Sequence, residues 1–575
     1  MSMTHAPTHA RSGKGEWLPS GCLEDPTRST RHAHRLGRPF GALPFGAAVL
    51  VVATASIGVG CGGAQRDAAT QTSFEGDEVE KTPQAFPTKP PESGPPSTFS
   101  LPTIHRKALS NGLEVNVLQM NELPVVYLDL VVFSGRQTDG KTVGLSALTA
   151  SLMNEGTENF SGAELAEAFE SLGASLKIHS DSDNLYVAAV GLSTHFSRLL
   201  SLMVEPALKP TFPGEELDKL VRRERNRLSL KAANPNFLAY RTLYKALYAN
   251  HPYANIDVET RTLDRLKRQE VARWHDTYVR PNNATLVVAG AVDPEKVFAE
   301  AETAFGAWEQ RAVKPISATL PKASKARRIL LVDRPGSVQS IIAIGNLALK
   351  RKDENFIPLA VANQVLGGSA ASRLFMDLRE KRSLTYGAYS SLGERVDVAP
   401  FIASAAVRTE VTGEALEGFF EHLDLIRNET VPPEELADAA RYLTDKFPLK
   451  IETAGQLAGL VGELRIFGLP DDYWEQYNKG ILEVDAVAAQ RAAQAYIKPE
   501  TATVVVVGDA ERISDEVRLH GDVEVVSAAG KSLGRLRALK KPPAPPAPAE
   551  EAPAAAGAPI EEPPEPAPAD EPSTH

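Results

Sequence analysis

Cysteine is almost missing from this chain, with only Cys22 and Cys61 among 575 residues. Because both lie in the first 61 residues, no cysteine remains downstream for an internal disulfide or for a nucleophile. Histidine pairs are missing as well: between residues 100 and 520, no two of the 12 histidines stand at the i, i+3 or i, i+4 spacing of a helical zinc site. The formal net charge of −11 argues against a nucleic-acid-binding protein. The common signatures of a disulfide scaffold, a thiol enzyme and a nucleic-acid binder are therefore excluded.

The first 61 residues have the pattern of an export signal. Basic residues between Arg31 and Arg38 precede a run of small and apolar residues over 40–60, which ends at Cys61. A Cys directly after small residues resembles a bacterial lipoprotein box, and we expect Cys61 to carry the lipid. We also expect the protein in the bacterial cell envelope, anchored on the periplasmic side and preferentially at the outer membrane. An ordinary signal peptide and a single membrane anchor remain alternatives.

Two further segments have compositions that cannot build a core. Residues 62–98 are rich in Pro, Gly, Ser, Thr and acidic residues, and they predict a flexible linker. Residues 541–575 consist mainly of Pro, Ala and Glu, which favour extended polyproline conformations. This tail is predicted to be solvated, with contact to a cell wall or a partner as the alternative.

An internal repeat divides the remainder. Residues 278–290 are echoed by 496–508 at a spacing of 218, and residues 212–217 by 431–436 at a spacing of 219. Two echoes in the same register indicate duplication of a unit of roughly 200 residues rather than a solenoid with short periods. The predicted organisation is an N-terminal extension with the signal at 1–61, a disordered linker at 62–98, a first domain at 100–312, an inter-domain linker at 313–325, a second domain at 326–520 and a disordered tail at 541–575.

Strand and helix signals alternate within each unit. In the first unit, β-branched runs over 113–118 and 125–133 predict strands, and helical patterns, a second strand pair and long helices follow. This order predicts an α+β fold in which helices pack on one face of a mostly antiparallel sheet. The duplication predicts two homologous domains of this kind.

Several short motifs stand in a fixed order along both units. They are Gly144–Thr157, Asn234-Pro235, His251-Pro-Tyr253, Pro281-Asn-Asn283, Leu366-Gly-Gly-Ser369 and the segment from Leu378 to Tyr386. Together they resemble the insulinase/pitrilysin family of zinc peptidases with the inverted motif, in its short two-domain form related to the mitochondrial processing peptidase. The resemblance covers about 100–520. It implies two similar domains that form a clamshell around an extended peptide.

The resemblance also implies where zinc chemistry should lie, and the residues there cannot perform it. In the family, a helix carries His-x-x-Glu-His; the two ligand positions hold Ala147 and Ser151, and the general-base position holds Ala150. The third ligand of the family, a Glu on a later helix, corresponds to Arg227 in this chain. Because a guanidinium repels a metal ion, we predict that the chain binds no metal.

An Arg and a Tyr seven residues later are retained. The family uses such a pair to hold substrate and oxyanion, and here the residues are Arg379 and Tyr386. A guanidinium offers forked donors, and a phenol donates to developing negative charge. We expect Arg379 to end a helix over 372–381 and Tyr386 to begin the next strand. The structural alternative is that Arg379 pairs with an acid such as Glu380 while Tyr386 packs.

The strand formed by Ser175, Leu176, Lys177 and Ile178 is a further candidate site. In the family, the edge strand at this place pairs with the backbone of the peptide, which depends on extended shape more than on sequence. An ordinary edge strand without a ligand is the alternative.

These features predict a non-catalytic, substrate-binding subunit of a heterodimeric zinc metallopeptidase, inactive alone. Arg379 and Tyr386 would serve the zinc site of a homologous partner with an intact His-x-x-Glu-His motif, and zinc is expected in that partner. The alternative is a membrane-tethered peptide-binding or scaffold protein with no peptidase role. An independent hydrolase is disfavoured because no Gly-x-Ser-x-Gly stands between a strand and a helix.

Overall fold

The computed structural model describes Gly94 and residues 99–540, except Ser317 and Ala323. The predictions for the export signal, for the lipidated Cys61, for the 62–98 linker apart from Gly94 and for the 541–575 tail lie outside these residues. Within the described part of the chain, no helix has the length and apolar character needed to span a bilayer.

The first half of the fold, residues 104–305, contains six strands and eight α-helices. The strands are β1 (Ile104–Ala108), β2 (Glu114–Gln119), β3 (Val125–Val132), β4 (Ser175–Ser180), β5 (Leu185–Leu192) and β6 (Ala284–Gly290). The helices are α1 (Leu145–Met153), α2 (Gly162–Glu170), α3 (Phe196–Leu208), α4 (Gly214–Ala232), α5 (Pro235–Tyr248), α6 (Thr260–Arg265), α7 (Arg268–Tyr278) and α8 (Pro294–Phe305).

The second half, residues 328–536, repeats the arrangement. Its strands are β7 (Arg328–Asp333), β8 (Gln339–Leu347), β9 (Thr385–Leu392), β10 (Pro400–Arg408), β11 (Thr503–Gly508), β12 (Val523–Ser527) and β13 (Ser532–Leu536). Its helices are α9 (Phe356–Gly367), α10 (Arg373–Phe375), α11 (Thr412–Asn428), α12 (Pro433–Asp445), α13 (Ala454–Phe467), α14 (Tyr473–Leu482), α15 (Ala486–Tyr496) and α16 (Ala510–Arg518).

Each half is built on one sheet. The first sheet has the order β1-β2-β6-β3-β5-β4, and the second has the order β13-β12-β7-β11-β8-β10-β9. All neighbours are antiparallel except β2 with β6, β7 with β11, and β7 with β12. The predicted α+β class with mostly antiparallel sheets is therefore confirmed. The second sheet continues through β12 and β13, beyond residue 520.

Local sequence accounts for several element boundaries. Ser161 and Glu164 form a reciprocal capping box at the start of α2. The Asn234-Pro235 motif starts α5: the Asn234 side chain accepts a hydrogen bond from the Phe237 amide, and Pro235 occupies the first turn, where no amide donor is needed. The Val-rich strand β6 is buried along its whole length, as expected for a strand covered on both faces.

The second face of each sheet is covered by a helix from the other half. Helix α5 of the first half packs against β8 and β11, and helix α13 of the second half packs against β3 and β6. The two helices begin at Pro235 and Ala454, at the repeat spacing of 219. Leu243 on α5 and Leu464 on α13 are each fully buried. The helices of each half cover one face, as predicted, and the exchange of α5 and α13 joins the two halves through shared cores.

The His251-Pro-Tyr253 motif lies at a polar contact between the halves. The Tyr253 hydroxyl donates to the Asp183 carboxylate and accepts from the Asp397 amide at 3.3 Å. The Val396 amide donates to Asp183 at 3.4 Å, and His251 Nε2 lies 3.4 Å from the Asp397 carboxylate. Burial raises the pKa of Asp183. Because these polar groups satisfy one another, the turn before β5 and the turn before β10 are held together.

Candidate functional site

The Gly144–Thr157 motif, which includes α1, has a structural explanation. Gly144 caps α1 with a φ of 95°, and a side-chain carbon there would lie 2.5 Å from Val258. The Asp139 carboxylate accepts from the amides of Gly144 at 2.6 Å and Ser146 at 2.8 Å, which satisfies two free donors of the first turn. Burial raises the pKa of Asp139 to about 6. The helix start is therefore fixed by backbone geometry and capping.

The apolar residues of α1 belong to the core of the first half. Leu145, Leu148, Leu152 and Met153 are all buried there. Helix α1 packs against α4, α7 and β4, so it contacts both the helix that carries Arg227 and the predicted edge strand. The retained part of the motif therefore serves packing.

The three positions of the degenerate motif carry no group suited to zinc. Ala150 is buried, while Ala147 and Ser151 are half-buried. The Ser151 hydroxyl donates to the Ala147 carbonyl at 3.0 Å, so its hydrogen atom is used within the same helix. Two methyl groups and a neutral hydroxyl cannot replace imidazoles and a carboxylate as ligands or as a proton acceptor.

Arg227 is held by carboxylates on both sides. Its Nη1 and Nη2 atoms donate to Asp257 at 3.0 and 2.6 Å, and its Nε atom donates to Glu224 at 2.6 Å. Lys231 also contacts Asp257, at 2.7 Å. The hydrogen bonds with Asp257 raise the pKa of Arg227 still further above its ordinary value. The nearby carboxylates thus compensate a fixed cation at the third ligand position.

These residues do not fit zinc. Across the described ranges, there is no group of three or more His, Cys, Asp or Glu side chains that could hold a metal ion. The only charged group at the four family positions is Arg227, whose fixed positive charge opposes metal binding.

The strand predicted to bind peptide lies at a sheet edge. Among the strands that the structure describes, β4 pairs only with β5 and is the last strand of the first sheet. Its residues alternate between exposed and half-buried, with Ser175 and Lys177 exposed and Leu176 and Ile178 half-buried. The Ser175–Ile178 segment is therefore an edge beside α1, and its pairing with a peptide stays a prediction.

Arg379 and Tyr386 line one open cavity of about 540 Å³ in the second half. The helix predicted over 372–381 differs in detail, because α10 ends at Phe375 and the residues from Met376 to Lys381 form a π-helical turn. Tyr386 is the second residue of β9, as expected. β9 is the edge strand of the second sheet, so its side of the cavity is open.

The two side chains have different surroundings. Arg379 Nε lies 3.2 Å from the Glu380 carboxylate, and its guanidinium lies 4.7 Å from the centre of the Phe375 ring. Tyr386 is 89% exposed, and its hydroxyl has no hydrogen-bond partner in the described part of the chain. The structural alternative therefore holds for the Arg379–Glu380 pair, while Tyr386 does not pack. An exposed ion pair contributes at most about 1 kcal/mol, so Glu380 holds Arg379 only weakly.

The cavity contains residues that sequence reasoning missed. Arg408 and Val338 line it together with Arg379 and Tyr386. Arg408 ends β10, and its Nη1 atom donates to the Ser383 carbonyl at 3.0 Å. No motif marks Arg408 in the sequence; only the pairing of β10 with β8 and β9 brings it to this edge.

The structure thus separates the predicted residues into two sets. Ala147, Ala150, Ser151 and Arg227 lie on the packed helices α1 and α4, with β4 beside α1. Arg379 and Tyr386 lie in a cavity whose lining comes entirely from the second half.

Comparison with known proteins agrees with this geometry. The family model described as insulinase (peptidase family M16) matches residues 116–261, and the one described as peptidase M16 inactive domain matches residues 265–443. Two relatives come from Helicobacter pylori (strain ATCC 700392 / 26695). "Non-peptidase homolog YmxG" is 23% identical over 355 residues, which cover 60% of this chain and 81% of the relative. "Zinc protease PqqE" is 24% identical over 425 residues, which cover 70% of this chain and 93% of the relative.

A solved structure of the same family has a similar fold. The crystal structure of a peptidase M16 inactive domain from Pseudomonas fluorescens superimposes with a TM-score of 0.66 at 25% identity, covering 70% of this chain and 98% of that chain. The predicted family resemblance is confirmed. The chain belongs to the insulinase family, peptidase family M16, as an inactive member whose zinc positions hold residues that cannot bind zinc.

Proposed function

We propose that this protein is the non-catalytic, substrate-binding subunit of a heterodimeric zinc peptidase. It supplies Arg379 and Tyr386 to the active site of a homologous partner that carries an intact His-x-x-Glu-His motif. The observation that carries the proposal is the 89% exposure of Tyr386 in the cavity that Arg379 lines. A large exposed aromatic side chain beside a cation that is held only by an exposed ion pair is typical of binding surfaces.

The exchange of α5 and α13 supports a partner chain. A movement that folds the second half over the first would pull Leu243 or Leu464 out of the shared cores, and each exposed leucine costs roughly 2 kcal/mol or more. The halves are therefore expected to move as one body. This rigidity favours a facing surface for Arg379 and Tyr386 that is supplied by another chain.

The chemistry of the pair fits the stabilisation of a peptide carbonyl. The Tyr386 hydroxyl is free to donate to a carbonyl oxygen, and Arg379 can donate to the same oxygen or to a neighbouring one after it leaves Glu380. The partner supplies the zinc and the general base. This chain orients the peptide and stabilises negative charge as it develops.

The edge strand is the second element of the proposal. An extended peptide can add to β4 through backbone hydrogen bonds, because one side of this strand has no pairing strand among the described residues. Helix α1, without histidines, would then only support the strand from behind. We further propose that Cys61 is lipidated and places the complex at the envelope; the signal-like sequence supports this location.

The relatives give context for a division of labour. Helicobacter pylori contains one relative named a non-peptidase homologue and another named a zinc protease. A family with both kinds of member in one organism is what a split peptidase requires.

Co-expression with a homologue that carries the intact motif tests the proposal. Peptide cleavage is measured for each protein alone and for the mixture, and co-purification is measured in parallel. We expect a stable complex whose cleavage exceeds that of either protein by at least about a hundredfold. Full activity of the partner alone would contradict the proposal and favour a membrane-tethered scaffold without a peptidase role.

A further inference from the structure

A basic groove lies between α4 and α5, and residues 255–261 also line it. Its volume is about 600 Å³, and its lining includes the cationic side chains of Arg225, Arg241, Lys245 and Arg261. The groove is separate from the Arg379–Tyr386 cavity and has no part in the proposed function. It is unusual in a chain with a net charge of −11.

The cations of the basic groove outnumber its acids. Two carboxylates line it, Asp257 and Glu259, against four cationic side chains. Asp257 is already bound by Arg227 and Lys231, Glu259 is shared between Lys245 and Arg261, and Arg225 pairs with Asp264. Arg241 has no carboxylate partner among the described residues, and its Nη2 atom donates instead to the Ala528 carbonyl. A segment with several carboxylates would therefore gain charge-assisted contacts in the groove.

An aromatic ring gives the basic groove a second property. Phe237 lines it, with Lys231 Nζ 5.6 Å and the Arg241 guanidinium 5.5 Å from the ring centre. Aromatic side chains in a groove bind proline-rich segments, which enter with little loss of conformational entropy because they are already extended. The groove therefore suits a segment that is both acidic and rich in proline.

The same chain contains such a segment. Residues 541–575 include 12 prolines and seven acidic residues, with Lys541 as the single Lys or Arg. All seven carboxylates fall between Glu550 and Glu571. The sign of the charge and the proline content both match the groove.

The position of the C-terminal hairpin makes the contact geometrically accessible. The hairpin of β12 and β13 reaches the groove at its tip, where the Ala528 carbonyl accepts from Arg241. From the tip, β13 runs about 17 Å to Leu536, and the described chain ends at Lys540. The 20 residues between Lys540 and Glu561 span about 60 Å in a polyproline conformation, which exceeds the return distance along the hairpin.

We propose that the acidic, proline-rich tail of this chain, residues 550–571, binds in the basic groove of the same molecule. The carboxylates contact Arg241, Lys245 and Arg261, and the prolines pack on Phe237. An external acidic peptide has to displace the tail in order to use the groove.

Photo-crosslinking in the full-length protein tests the contact. The photoreactive residue p-benzoylphenylalanine is placed at Ser229, which is exposed and lines the groove, and crosslinked peptides are identified by mass spectrometry after irradiation. The control position is Leu230, which is 76% exposed on the same helix but does not line the groove. We expect crosslinks from Ser229 to residues 541–575 of the same chain, at a yield about fivefold above that from Leu230.

Charge changes separate a specific contact from chance collisions. Converting the seven tail acids to amides, or raising NaCl to about 0.5 M, where the Debye length falls to roughly 4 Å, should lower the yield about fivefold. The double variant Arg241→Glu and Lys245→Glu should do the same, whereas Lys479→Glu on α14, 68% exposed, should leave it unchanged. Equal yields from Ser229 and Leu230, insensitivity to salt and charge, or crosslinks only between two chains would each overturn the proposal.

Discussion

The two halves of this protein share one arrangement of strands and helices, yet they differ in what their candidate sites expose. In the first half, Ala147 and Ser151 replace ligands, and Arg227 is fixed between Asp257 and Glu224. In the second half, Tyr386 stands exposed. The difference teaches that core and cap residues can maintain the fold of the first half although its zinc positions hold residues that cannot bind zinc.

Restoring ligands in the first half should give the largest effect. Ala147→His with Ser151→His places two imidazoles on one face of α1 at half-buried positions, while buried Ala150 is left unchanged. We expect that adding Arg227→Glu tightens zinc binding about a thousandfold relative to the double variant, because it replaces a repelling cation with a ligand. Isothermal titration of the two variants with zinc measures the difference.

The matched control for this series is Arg225→Glu, which lies two residues before Arg227 and is exposed on α4. It should leave the zinc affinity of the double variant nearly unchanged. Equal zinc affinity with and without Arg227→Glu would show that Arg227 does not occupy the third ligand position.

Substitutions in the exchanged helices α5 and α13 should lower the free energy of unfolding by similar amounts. Leu243→Ala on α5 and Leu464→Ala on α13 remove fully buried side chains from corresponding contacts, and each should lower the free energy of unfolding by about 3 kcal/mol. Since the cores are shared, both halves should unfold in a single transition. Urea unfolding followed by fluorescence and circular dichroism measures this, and two separate transitions would show that the halves are independent.

The contact of α13 with the first sheet contains a buried carboxyl group that has no counterpart at the corresponding position under α5. This group should have a smaller, pH-dependent effect on the free energy of unfolding. Asp129 on β3 shares the sheet face of Tyr127 and Val131, against which α13 packs. Its Oδ1 atom has no hydrogen-bond partner in the described part of the chain, and burial raises its pKa to about 7. The corresponding residue on β8 in the second half is Ala343, which packs against α5.

The sign of the pH effect follows from the raised pKa. Because the folded state holds the Asp129 proton more tightly than the unfolded state, the stabilisation is complete below about pH 4 and is lost as the pH rises through about 7. Raising the pH from 5 to 8 should lower the free energy of unfolding by about 2.5 kcal/mol through Asp129, and Asp129→Asn should remove that dependence. Unfolding at both pH values measures it, and an unchanged pH profile in the variant would contradict a raised pKa.

Much of the fold follows from the sequence, because alternation and the repeat report local structure directly. The β-branched run over 125–133 corresponds to β3, and the Asn234-Pro235 motif lies at the start of α5. The exchange of α5 and α13 could not be predicted, since an apolar helical face does not specify which sheet it covers. The contact between Arg227 and Asp257 was hidden for a similar reason: a loop brings together residues 30 positions apart.

The candidate site in the second half was predictable only in part. The seven-residue spacing of Arg379 and Tyr386 is visible in the sequence, and both line the same cavity. The π-helical turn and the positive φ of Ser383, 54°, depend on tertiary packing, which propensities do not encode. Arg408 reaches the cavity through strand pairing alone.

The central claim is that Arg379 and Tyr386 of the second half serve the active site of a partner. Its most direct test is the rate of peptide cleavage by the complex with a zinc-bearing homologue. The measurement is kcat/KM with the wild-type chain, with Arg379→Ala, with Tyr386→Phe and with Lys381→Ala as the exposed control on the same π-helical turn. We predict that kcat/KM falls about 10²- to 10³-fold for Arg379→Ala and about tenfold or more for Tyr386→Phe. It should change little for Lys381→Ala. Unchanged kcat/KM in both Arg379→Ala and Tyr386→Phe would contradict the account.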